Sequence, residues 1–164
     1  MYKMLKNVEY YIAKIEGYVL VTGLITMIIA GTTQVILRNF FNTGLEWGDM
    51  LARSLVLWVG FVGASLATRR SKHINIELVS KFITSPKLSK IRERVVNIIA
   101  LFISTTLAVE AIIFIHAEAQ NNMTAFLKVP TWVIFIIVPI SLSLISIRFL
   151  IEVITGHKIE ETEL

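Results

Sequence analysis

Few side chains in this chain have the type and spacing to do chemistry. Glu110 is an acid inside the otherwise uncharged apolar stretch 95–115, and an ionisable residue within a membrane span is a candidate proton or ion site. It lies five residues from the far end of that stretch, about 8 Å deep at 1.5 Å per residue, which leaves it within reach of interfacial water. Asp49 and Arg53 stand four apart, an acid-then-base pair on one helix face. They read either as a solvated ion pair or as part of a buried network fixing an outer interface. His116 and Glu118 form an H-x-E string, but the zinc chemistry that uses such a string also needs cysteines. The chain has no cysteine, which also excludes a disulfide framework, a thiolate metal site and a CxxC relay. His73, His116 and His157 fall on separate segments, against paired haem ligation and in favour of structural or interfacial roles. No Ser, His and Asp set converges. The residues therefore predict no enzyme activity, no cofactor and no metal.

The elements that must position these groups follow from composition. Of 164 residues, 55% are hydrophobic and 17% charged, with a mean hydropathy of +0.71, too apolar for one soluble domain. The net charge of +4 is not a nucleic-acid footprint, because the basic residues lie between apolar runs. The expected fold is an all-α integral membrane protein with four transmembrane helices, a single membrane domain over 1–164. The spans are expected at about 17–37, 47–68, 95–115 and 129–148, with a tail at 155–164. Gly17 to Leu37 is uncharged over 21 residues, enough to cross about 30 Å of hydrocarbon. That run is longer than a signal-peptide core and lacks a small-residue cleavage site, so it is expected to stay as a span. Pro130 opens the fourth span and Pro139 should kink it.

Thirteen of the sixteen basic residues fall on one side of these spans and three, Arg38, Arg53 and Lys128, on the other. The positive-inside rule then predicts both termini in the cytoplasm. Trp47 and Trp132 fall together at the outer interface, where an indole ring is favoured. Residues 1–16 place Leu5, Val8, Ile12 and Ile15 opposite Lys6, Glu9 and Lys14, which predicts an amphipathic helix along the cytoplasmic surface. Residues 74–94 are expected as cytoplasmic surface helices too, the second starting at Ser85 and Pro86 and running into span three.

The polar groups of span one, Thr22, Thr26, Thr32, Thr33 and Gln34, are explained by helix packing. Gly60 with Ala64 and Gly63 with Ala67 stand four apart in span two, and would let another helix come close, either within this chain or on a larger partner. No midplane cluster of polar groups marks a transport site.

From Arg38 to Leu78 the chain resembles the small membrane subunit of tripartite ATP-independent periplasmic (TRAP) transporters. The residues that carry the likeness are Arg38 and Phe41, LEWGDMLAR from Leu45 to Arg53, WVGFVGASLA from Trp58 to Ala67, and Arg69, His73 and Ile74. The family commonly has two adjacent acids after the tryptophan, whereas here Asp49 is followed by Met50. The resemblance implies a bacterial inner-membrane protein partnered by a large multi-span subunit, which carries the substrate and sodium sites, and by a periplasmic substrate-binding protein that captures an organic acid such as a C4-dicarboxylate or sialic acid. The small subunit would be a static scaffold beside an elevator-like domain, in contact with membrane lipid and with no nucleic acid. Arg38, Trp47, Asp49, Arg53, Trp58, Gly60, Gly63 and His73 are its candidate interface or structural residues. The competing expectation is an autonomous homo-oligomeric channel or small exporter lined by Glu110 and Gln34.

Overall fold

The computed structural model describes residues 2–70, 86–121 and 123–155, and among them helix is the only extended secondary structure. Helix α1 is Tyr2–Phe41, α2 is Gly48–Arg70, α3 is Pro86–Gln120, α4 is the short Thr131–Phe135 and α5 is Ile137–Thr155. Among the described residues four stretches, Asn7–Phe41, Gly48–Arg69, Arg94–Gln120 and Thr131–Ile154, are long and apolar enough to cross a membrane. Hydrogen bonds closed within each helix satisfy most of its backbone groups without help from lipid.

The expectation of a separate surface helix over 1–16 needs correction. Those residues, from Tyr2 onward, are the first part of α1, a helix of 40 residues and therefore about 60 Å long. No proline interrupts it, and Glu9 and Glu16 are buried, 7% exposed each, rather than turned to water. Residues 86–94 open a continuous α3 that starts at Pro86 and runs into span three, as expected, whereas the rest of the expected 74–94 surface segment lies outside the described residues, as do His73 and His157.

Span four is broken as its proline requires. Pro139 has no N–H to give to the carbonyl four residues earlier, and the hydrogen-bond ladder is interrupted between α4, which ends at Phe135, and α5, although Ile136 between them keeps right-handed helical dihedrals. The indole Nε1 of Trp58 donates to the Ile134 carbonyl at 2.9 Å, so the break is held by α2. Ahead of it, Thr131 donates through N–H and Oγ1 to the Met123 carbonyl at 3.0 and 2.8 Å, closing the loop between α3 and α4.

The helices stand in a row, in the order α1, α2, α5, α3. Contact is most extensive between α3 and α5, then between α1 and α2, with α2 against α5 in the middle. At the α1–α2 seam, Leu20 Cδ1 lies 3.4 Å from where a Cβ on Gly63 would stand, and Val59 Cγ2 lies 3.1 Å from where one on Gly23 would stand. Between α3 and α5, Ser146 donates to Ser104 at 2.9 Å and Asn97 donates to Glu152 at 3.1 Å, while Phe114 of α3 meets Phe135 of α4 edge-on. Because a row has no enclosed centre, few apolar residues among those described are buried, with Ala13, Val62, Ala108, Ile137 and Pro139 among them. None of the most apolar stretch of α1 is buried. Ile25, Ile28 and Ile29 on α1 and Phe102 and Ile103 on α3 are exposed, a surface that lipid solvates at little cost.

The seam predicts a position-dependent response to added bulk. Gly23→Leu should lower the thermal midpoint of the purified chain in mild detergent, at a cost of about 1–3 kcal/mol from overpacking against Val59. Gly31→Leu, where nothing lies within 4 Å, should leave the midpoint unchanged.

Candidate functional site: a buried arginine cluster

The polar centre of the structure is assembled from three helices around Arg148. This side chain sits on α5 with 5% of its surface exposed. Its Nε donates to Glu9 Oε1 at 2.8 Å and its Nη2 to Glu16 Oε2 at 2.6 Å, both on α1. Its Nη1 donates to Ser65 Oγ on α2 at 2.7 Å and to the Ser65 carbonyl. Ser65, fully buried, donates in turn to Glu16 Oε1 at 2.5 Å. Arg69, one turn further along α2, approaches Glu9 at 3.9 Å.

Helix periodicity explains why these groups meet. Glu9 and Glu16 are seven apart, two turns, and so share a face of α1. Ser65 and Arg69 are four apart on α2 and share its face toward α1. The guanidinium is planar with donors on several edges, which lets one side chain engage α1 and α2 together. Since an unpaired charge in hydrocarbon is costly, pairing makes these ionised residues compatible with a membrane.

A cavity of about 300 Å³ opens beside the cluster, lined by Ile12, Ile15 and Val19 of α1, Trp58 and Val62 of α2, and Ile140 of α5 among others. Its lining is almost wholly apolar, and the carboxylate of Glu16 at its edge is already bonded to Arg148 and Ser65.

The residues expected from sequence occupy different places. Asp49 and Arg53 are both exposed and form no ion pair with each other; Asp49 Oδ1 instead accepts from Gln34 Nε2 of α1 at 2.8 Å. A Cβ at Gly48 would collide with the Gln34 amide, so the glycine before Asp49 makes room for this contact. Arg38 is exposed and Trp47 half-buried at the same end of the row. Trp58 holds the span-four break, Gly63 faces Leu20, and Gly60 opens onto free surface with nothing within 4 Å. Glu110 is exposed on α3 and Gln34 is on α1, the two ends of the row, so these two do not converge within one chain. His116 Nε2 lies 3.1 Å from Gln120 Nε2. Among the described residues, no three His, Asp or Glu side chains are grouped to hold a metal ion.

The family model for tripartite ATP-independent periplasmic transporters, DctQ component, matches residues 27–158. The chain belongs to this family. Over 121 residues it is 30% identical to the sialic acid TRAP transporter small permease protein SiaQ of Vibrio cholerae, spanning 73% of this chain and 65% of that one. It is 24% identical over 121 residues to the C4-dicarboxylate TRAP transporter small permease protein DctQ of Rhodobacter capsulatus, 74% of this chain and 53% of the relative. It is also 32% identical over 83 residues to the sialic acid TRAP transporter permease protein SiaT of Haemophilus influenzae, 51% of this chain and 13% of that one. The chain thus spans less than two thirds of the length of each of these relatives. As a member of the DctQ family with four apolar helices of spanning length, it is a multi-pass inner-membrane protein. The matched stretch contains Ser65 and Arg148 but begins after Glu9 and Glu16.

The cluster predicts an asymmetric mutational response. Arg148→Met strands two buried carboxylates and should cost about 3–5 kcal/mol in a reversible unfolding titration in detergent micelles. Ser65→Ala, which removes one hydroxyl but leaves both ion pairs, should cost about 1–2 kcal/mol in the same assay.

Proposed function

We propose that this chain is the small scaffold subunit of a TRAP transporter, which holds a large, sodium-coupled, elevator-type membrane subunit in the bilayer while a periplasmic binding protein delivers an organic acid. In this reading the large subunit moves substrate and sodium, and the small subunit carries no catalytic group, cofactor or metal of its own. Both termini face the cytoplasm, which puts the Arg148 cluster toward that side and Trp47, Asp49 and Arg53 toward the periplasm. The observation that carries the reading is the helix row of a family member, open on both faces, with its apolar surface unspent on a core of its own. A flat slab of helices suits a subunit that broadens the footprint of a larger protein, because each face can lie against another helix layer or against lipid. Sialic acid and C4-dicarboxylates, the substrates in the relatives' names, support a carboxylate as the substrate class.

The experiment is co-expression with a large TRAP membrane subunit from the same source. Tagged chain should retain that subunit through purification in mild detergent, and vesicles holding both, with the binding protein added, should take up the acid under an inward sodium gradient. A folded chain that never retains the large subunit would overturn the proposal. So would solute flux through vesicles that hold this chain alone.

Asp49→Asn and Arg53→Gln together are expected to lower complex yield and uptake in parallel, with no change in acid affinity of the isolated binding protein. Unchanged yield and uptake would remove these two residues from the subunit interface.

A further inference from the structure

Arg148 is supplied by the last helix of the row and its two acidic partners by the first, 139 and 132 residues earlier. The seam of α1 with α2 is extensive, but it is largely apolar. None of its most apolar stretch is buried, and its apolar seam with α2 rests on close approaches at Gly23 and Gly63. Lipid solvates such a helix as well as protein does, so apolar contact alone gives α1 little reason to dock. Buried charge gives it a strong one, since pairing makes two ionised carboxylates at the edge of the hydrocarbon compatible with the bilayer. Before α5 is in place, α2 offers Arg69, which reaches Glu9 at 3.9 Å. Among the described residues it makes no hydrogen bond through Nε and no ion pair with Glu16. Ser65, which bonds Glu16 directly, is itself oriented by Arg148.

We propose that the Arg148 cluster is an assembly checkpoint, in which α1 docks against α2 only after the final helix has delivered Arg148 between them. A chain then presents the docked α1–α2–α5 edge only when it is complete, and α3, which packs on α5 without using the cluster, is indifferent to it. This inference is independent of which partner the row serves.

The absence of cysteine gives a background-free test in the full-length chain in native membranes. Leu20→Cys with Gly63→Cys reports α1 docking, and Ser104→Cys with Ser146→Cys, placed in the same chain set separately, reports α3–α5 packing. Mild oxidation should form both disulfides in the otherwise unchanged chain. With Arg148→Met, the 20–63 yield should fall at least about threefold, given the destabilisation expected for a stranded buried charge, while the 104–146 yield stays at its original level. The charge exchange Glu16→Arg with Arg148→Glu, made together with Glu9→Gln so that no two acids face each other, should restore 20–63 cross-linking. An undiminished 20–63 yield in Arg148→Met would overturn the checkpoint. Loss of both disulfides would also overturn it, because Arg148 would then support the whole fold rather than the docking of α1. Failure of the charge exchange to restore the 20–63 bond, with 104–146 intact, would show that the charge pairing is not what holds α1.

Discussion

A guanidinium inside a membrane protein must find its full set of partners or leave, and the placement of Arg148 follows from that constraint. It uses Nε, Nη1 and Nη2 on three separate groups, two carboxylates of α1 and Ser65 of α2. One residue therefore determines the relative height and rotation of three helices, since a slip of one residue on α1 turns its acids by about 100° away from the cluster. The remaining contacts are compatible with this arrangement but do not demand it. Gly23 and Gly63 permit close approach, and Ser104 with Ser146 aligns α3 on α5. Trp58 ties the broken fourth span to α2 nearer the opposite end of the row.

The open row is the structural counterpart of having lipid as solvent. A soluble four-helix protein closes into a bundle because water drives apolar faces together, whereas in hydrocarbon an exposed isoleucine costs almost nothing. A chain in this setting is free to spend its specific interactions on a line of helices and to leave both faces apolar. That is a useful form for a member of a family whose relatives are named as small permease components of larger transporters. It also explains why the polar residues sit at the seams rather than at a midplane site.

Much of the fold was legible from hydropathy and proline. The four apolar stretches correspond to four helices of spanning length, and Pro139 divides the fourth. The motif from Arg38 to Leu78 pointed to the family that the sequence match establishes. What the sequence reading missed is the cluster, and the reason is physical. The pattern over residues 1–16 is amphipathic, and Glu9 was grouped with Lys6 and Lys14 as a face for water, whereas its partner is an arginine 139 residues away. Arg148 closes the expected fourth span, 129–148, and reads there as a charge at the end of an uncharged run. A signal was present: Glu9 and Glu16 recur at two helical turns, and Arg148 is followed by Phe149, Leu150 and Ile151, so it lies inside the apolar stretch and not after it. Likewise, spacing alone paired Asp49 with Arg53, where the structure gives Asp49 to Gln34 on another helix.

The central claim is that Arg148 and the acids of α1 are energetically coupled across the row. A double-mutant cycle on Arg148→Met and Glu16→Gln, read from unfolding free energies in detergent micelles, measures that coupling directly. Removing both partners should cost less than the sum of the two single changes by at least about 1 kcal/mol, as expected for groups in one hydrogen-bonded network. Costs that add within about 0.3 kcal/mol, the behaviour of independent sites, would contradict the account.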